Sequence, residues 1–127
     1  MNNTKTIVYG YFPAVVYAAL IVTLSSIPRL TAPDIGFRPS DKLLHFMEYF
    51  IFGILWMRVF KLSVKSGRIP IYLILIIYSV IFAGLDEFHQ KFVPMRKMDF
   101  WDFVADITGI LAAAGIFYLW KKWKTRH

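Results

Sequence analysis

There is no cysteine anywhere in the 127 residues, which excludes a disulfide framework, a thiolate nucleophile and a zinc–sulfur site. Charge is scarce too: 18% of the residues are Asp, Glu, Lys or Arg, where an ordinary soluble domain has about 25%. No glycine-rich phosphate loop, no His-Glu-x-x-His pair and no serine in a nucleophile elbow is present, so nothing points to nucleotide hydrolysis. No internal repeat and no Gly/Ser linker divides the chain, which therefore reads as a single domain over 1–127.

What the chain has in excess is apolar surface. Hydrophobic residues make up 57% of it, and the mean hydropathy is +0.52. The first class this composition implies is an integral membrane protein. The net charge of +7 raises nucleic acid as an alternative partner. The basic residues, however, flank apolar runs and form no stripe on a polar face, so the pattern favours a membrane and no nucleic acid.

Four apolar runs approach the ~20 residues that a spanning helix needs. They lie at about 7–27, 43–60, 70–88 and 100–120. The expected fold is all-α: a polytopic membrane protein with a bundle of four transmembrane helices. The first run is longer than a signal-peptide core and lacks a small-x-small cleavage pattern, so it reads as a retained helix. Pro13 within it predicts a kink, because proline leaves a carbonyl without its donor.

Four spans place both termini and the 61–69 connection on one side. Nine basic residues fall there (Lys5, Arg58, Lys61, Lys65, Arg68, Lys121, Lys122, Lys124, Arg126) against six on the other (Arg29, Arg38, Lys42, Lys91, Arg96, Lys97). The positive-inside bias predicts a multi-pass protein of the cell membrane with cytoplasmic termini. All eight acids gather at the opposite end: Asp34, Asp41, Glu48, Asp86, Glu87, Asp99, Asp102 and Asp106.

Helical phase sorts these acids into stripes. Asp41, His45 and Glu48 are spaced i, i+4, i+7 with Tyr49 beside them; Ser79, Asp86 and Gln90 share a second stripe. Asp99, Asp102, Asp106 and Gly109 make a third, and Glu87 lies about 100° from Asp86. The reading therefore prefers Asp86 at a common centre and sends Glu87 toward a neighbouring helix or Arg96. His89 falls on the far side and is left out. A charge at the middle of a spanning helix costs roughly 2.5–3.5 kcal/mol even on a lenient scale. These groups are thus expected to turn toward one another, lining a polar cavity that opens outward. Asp99 suits a helix cap, and Asp102 suits the positive end of the helix dipole. The aromatics Phe46, Phe50, Phe52, Trp56, Phe100, Trp101, Trp120 and Trp123 read mostly as lipid-facing or interfacial anchors. Gly109, Ala112, Ala113 and Gly115 predict close helix packing on the fourth span.

Taken in order, "SSIP", "DKLLHFMEYFIFG" and "DEFHQKFVPMR…DFVADITG" resemble the VanZ-like family of small integral membrane proteins, over roughly residues 25–110. The matching positions are Asp41, Lys42, His45, Tyr49, Asp86, Glu87, Gln90, Phe92, Pro94, Arg96 and Asp102. Three positions depart from the family pattern. Met95 replaces the usual glycine before the arginine, Asp106 a family asparagine, and Asp99 a common serine. The last two add negative charge and bear on cation preference. The resemblance implies an association with resistance to teicoplanin, a lipoglycopeptide antibiotic.

Two principal functions remain open on these residues. In the first, a non-enzymatic cavity engages an amphiphilic envelope ligand: a lipid-linked precursor, a phospholipid head group or the lipoglycopeptide itself. Its ligand-binding residues are Lys42, Tyr49, Glu87, Gln90 and Arg96, the arginine offering a planar fork for carboxylate or phosphate. In the second, a small intramembrane enzyme acts on a lipid or cell-wall precursor. His45, Glu48 and Asp41 supply acid and base, and Asp86, Asp102 and Asp106 hold a divalent cation through oxygen ligands. A structural or partner-binding role for the polar network is the third alternative. Membrane lipids are partners in every case, and the oligomeric state has no signature in the chain.

Overall fold

The computed structural model describes residues 2–28, 39–64, 67 and 69–127. Arg29, Asp34, Arg38, Lys65 and Arg68, which entered the charge and acid distributions above, lie outside them. Among the described residues there is no strand. Four helices carry the fold: α1 (Asn3–Ser25), α2 (Pro39–Ser63), α3 (Ile71–Gln90) and α4 (Phe100–Arg126). All four are long and apolar enough to cross a membrane. This is the all-α four-helix architecture that the apolar runs predicted. A backbone in hydrocarbon must satisfy its own polar groups, and an unbroken helix does so. Helices α2 and α4 run past the predicted 43–60 and 100–120, because helical bonding continues into the polar ends of each apolar run.

Pro13 disturbs α1 one turn earlier than a simple kink. Residues Ile7–Tyr11 form a π-helical turn. The wider turn absorbs the register break that a proline without an N–H imposes on the preceding carbonyls. The helix then resumes and docks its start on the end of α2, where Tyr11 Oη donates to Ser63 Oγ at 2.5 Å.

Every helix contributes to one core layer: Ile21 from α1, Tyr49 and Phe52 from α2, Ala83 from α3 and Ile110 from α4. Phe52 is its centre, completely buried and stacked on Phe82 with ring centroids 4.6 Å apart. Its assignment to lipid is thereby corrected, and that of Trp56 with it, since Trp56 packs against Phe52 and Tyr78. A ring with neighbours on several sides gains more from packing than from exposure to lipid tails. Phe100, Trp101, Trp120 and Trp123 do remain exposed near the two ends of α4.

Helices α2 and α4 approach closest. A Cβ on Gly109 would lie 2.3 Å from the Phe46 carbonyl oxygen, and one on Gly53 would lie 2.9 Å from Ala113 Cβ. Gly109 and Ala113 thus form the small-xxx-small seam that lets two backbones meet. Gly115, also expected at a close contact, faces open space instead. Helix α3 packs against both of these helices, and α1 leans on α2 and α3.

Candidate functional site

The polar residues collect where α1 and α3 end and α2 and α4 begin. Asp99 caps α4, its carboxylate accepting from the Trp101 N–H at 2.8 Å. Lys42, near the start of α2, donates to Asp99 Oδ2 at 2.8 Å and also to Asp102 Oδ1. One ammonium therefore ties together the first turns of two helices. The Lys42 contact holds the Asp99 carboxyl below the usual carboxylate range.

One turn deeper, His45 sits between two carboxylates. Its Nδ1 lies 2.8 Å from Asp106 Oδ1, and its Nε2 lies 3.5 Å from Asp102 Oδ2. Asp106 has no solvent exposure, and its Oδ2 has no hydrogen-bond partner among the described residues. The close approach at Gly109, one turn further along α4, brings this aspartate within reach of α2.

Asp86 and Glu87 divide the neighbouring space differently from the expectation. Asp86 faces Tyr49, whose hydroxyl donates to Asp86 Oδ2 at 3.2 Å. Glu87, 1% exposed, accepts the Asp99 N–H at 3.3 Å and the Gln90 Nε2 at 3.5 Å. Glu87 thus meets the neighbouring helix start, as its phase allowed, but it also reaches the centre. Ligand atoms of His45, Glu87 and Asp106 all lie within 4.8 Å of one another. Of the three acids expected to hold a divalent cation, Asp86, Asp102 and Asp106, only Asp106 belongs to this group among the described residues. Asp86 is turned to Tyr49, and Asp102 to Lys42 and His45.

Arg96 closes this end of the bundle. Its guanidinium donates to the carbonyls of Leu24 at 3.3 Å and Ile27 at 3.1 Å, and to Gln90 Oε1 at 3.1 Å. Two carbonyls at the end of α1 are thus bound by a side chain from the α3–α4 connection. Sequence spacing does not reveal this role, because the partners are backbone atoms about 70 residues away. His89 stays apart, bonded to Ser26 Oγ at 2.9 Å.

Beside the cluster runs a cleft of about 860 Å³ between α1 and α2. Leu20, Leu24, Met47 and Ile51 line its apolar length; Lys42, His45, Glu48, Gln90, Arg96 and Asp102 line its polar end. Asp41 lies on the same polar rim. Tyr49 does not line it. That residue is fully buried in the core layer, with its hydroxyl committed to Asp86.

Fold and site together define a small multi-pass helical membrane protein with ionisable side chains gathered inside its bundle. The chain belongs to the VanZ/LLP1 family, whose profile matches residues 4–121. It is similar to an uncharacterised protein of Schizosaccharomyces pombe, with 30% identity over 92 residues. That match takes in 72% of this chain and 54% of the yeast protein, so the chain spans about half the length of that relative. No solved structure matches.

Proposed function

We propose that this protein binds an amphiphile at the outer leaflet, with its head group at the polar end of the cleft and an acyl chain along the groove between α1 and α2. The observation that carries this reading is the cleft itself, in which an apolar groove leads without interruption to side chains of both charge signs. Arg96, Lys42 and Gln90 offer donors to phosphate or carboxylate, and Glu48 and Asp41 offer acceptors to an amine. Ligand sites typically combine mostly apolar walls with a few convergent polar groups. The ligand class is an envelope amphiphile: a lipid-linked precursor, a phospholipid or a lipoglycopeptide such as teicoplanin, the last by family resemblance. The basic excess at the opposite end supports cytoplasmic termini, which turn the cleft outward.

Catalysis by His45 is the less favoured reading. Both of its ring nitrogens face carboxylates, so neither is disposed to take a proton from a ligand in the cleft.

The test uses the full chain in detergent micelles with a phosphatidylethanolamine, a polyprenyl diphosphate and teicoplanin as separate probes. Ile51→Trp fills the apolar groove, and Arg96→Gln removes the cation at the head. Each variant is expected to weaken the bound probe by about tenfold or more, which corresponds to about 1.4 kcal/mol. Binding of none of the three, or equal binding after the groove is filled, removes the proposal. Teicoplanin susceptibility of cells with and without the protein decides the antibiotic arm separately.

A further inference from the structure

We propose that His45, Glu87 and Asp106 form a binding site for a divalent transition-metal cation, zinc or manganese, inside the bundle. Three helices supply one ligand each: α2 the imidazole, α3 and α4 the carboxylates. Their ligand atoms already lie within 4.8 Å of one another. Metal–ligand bonds to nitrogen and oxygen are about 2.0–2.2 Å long, so adjustments of about an ångström bring all three to one centre.

Two further features point to an ion. Asp106 is completely buried and its Oδ2 has no hydrogen-bond partner among the described residues. A buried carboxylate oxygen without a partner is costly, and a cation is one of the few groups that satisfies it. The surroundings of His45 also have the form of a metal ligand's support. If Nδ1 turns to the ion, Nε2–H faces Asp102 Oδ2, at 3.5 Å in this structure. Asp102 is in turn held by Lys42 through its other oxygen. A carboxylate behind the second nitrogen fixes the ring tautomer and strengthens the imidazole as a ligand.

The donor set limits the choice of ion. One imidazole with two carboxylates suits zinc, manganese or iron, whereas magnesium and calcium prefer oxygen alone. The site is deep and its entrance is on the polar side, where His45 and Asp102 line the cleft. Metal uptake is read without any amphiphile, so this inference stands or falls independently of the proposed function.

The experiment takes the full chain in detergent micelles, strips it with a chelator and titrates it with Zn²⁺ or Mn²⁺ alone, by calorimetry and by thermal unfolding. One ion per chain is expected, with a rise in unfolding temperature on binding. Asp102→Asn, behind the histidine, should weaken binding by about 10–100-fold. Glu87→Gln and Asp106→Asn should weaken it at least as much, and Asp86→Asn should leave it unchanged. Thermal unfolding in chelator shows that each variant is folded before titration, and Glu87→Gln serves if Asp106→Asn is not. Absence of binding to the wild type, unchanged affinity in Glu87→Gln, or loss in Asp86→Asn equal to that in Glu87→Gln each overturns the site.

Discussion

His45 Nδ1 lies 2.8 Å from Asp106 Oδ1 because Gly109, three residues past the aspartate, lets α4 rest against the α2 backbone at Phe46. The imidazole and the carboxylate meet inside the bundle only while that contact holds. Helix crossing and polar pairing are therefore one feature of the molecule, and a change at either should be felt at the other.

Replacing Gly109 with alanine tests the crossing. Its Cβ would meet the Phe46 carbonyl at 2.3 Å and the Phe50 nitrogen at 2.9 Å, both of them backbone atoms. Overpacking of this kind typically costs about 1–3 kcal/mol. At Gly115 a Cβ meets nothing within 4 Å, and alanine there should be neutral or should gain up to ~1 kcal/mol of helix propensity. Unfolding of both variants in micelles decides the matter; equal effects would contradict the assigned interface.

Met95 holds a left-handed backbone conformation, with φ at 66°, at the position where the family usually carries glycine. The strain on an L-residue there is about 1–2 kcal/mol. Met95→Gly should therefore raise stability by somewhat less than this, since glycine has more freedom to lose on folding. The methionine side chain is largely exposed, so little packing is lost. Met95→Ala keeps the strain and should give no such gain. If alanine stabilises as much as glycine, the backbone explanation fails.

The Tyr49 hydroxyl donates to Asp86 Oδ2, while Oδ1 has no hydrogen-bond partner among the described residues. Tyr49→Phe should cost about 1–3 kcal/mol, the penalty for a buried acceptor left unpaired. In an Asp86→Leu background the same substitution should cost much less, because the acceptor is gone. A double-mutant cycle measures the difference, and zero coupling would show that the contact contributes nothing to stability.

The Lys42–Asp99 pair should make stability depend on pH in one direction. The folded carboxyl titrates below its ordinary range, so the unfolded chain binds the proton more readily. The stabilising contribution is complete above the unfolded value of about 4 and disappears as pH falls through the depressed folded value. Asp99→Asn retains a capping side chain and removes only the charge. Because the pair is partly exposed, the variant should be less stable at pH 7 by no more than about 1 kcal/mol. That gap should close at acidic pH. Unfolding curves that differ equally at pH 7 and pH 3 would assign the effect to something other than the ion pair.

Four helices, their approximate ends and the gathering of acids at one end of the bundle are all legible in the linear chain. Hydrocarbon imposes a length and a saturated backbone on each span, and those demands act on every helix separately. Helical phase likewise puts Asp102 with Asp106, and His45 with Glu48, because a turn of 100° per residue is a local property. Which stripe meets which is not local. Asp86 and Glu87 are adjacent, and both have access to the interior; the rotation of α3 against its neighbours sends one to Tyr49 and the other toward His45 and Asp106. Phe52 enters the core, and Arg96 finds the carbonyls of Leu24 and Ile27, for the same reason. Those meetings depend on how closely the helices approach at Gly53 and Gly109, a distance set by atoms on both partners at once.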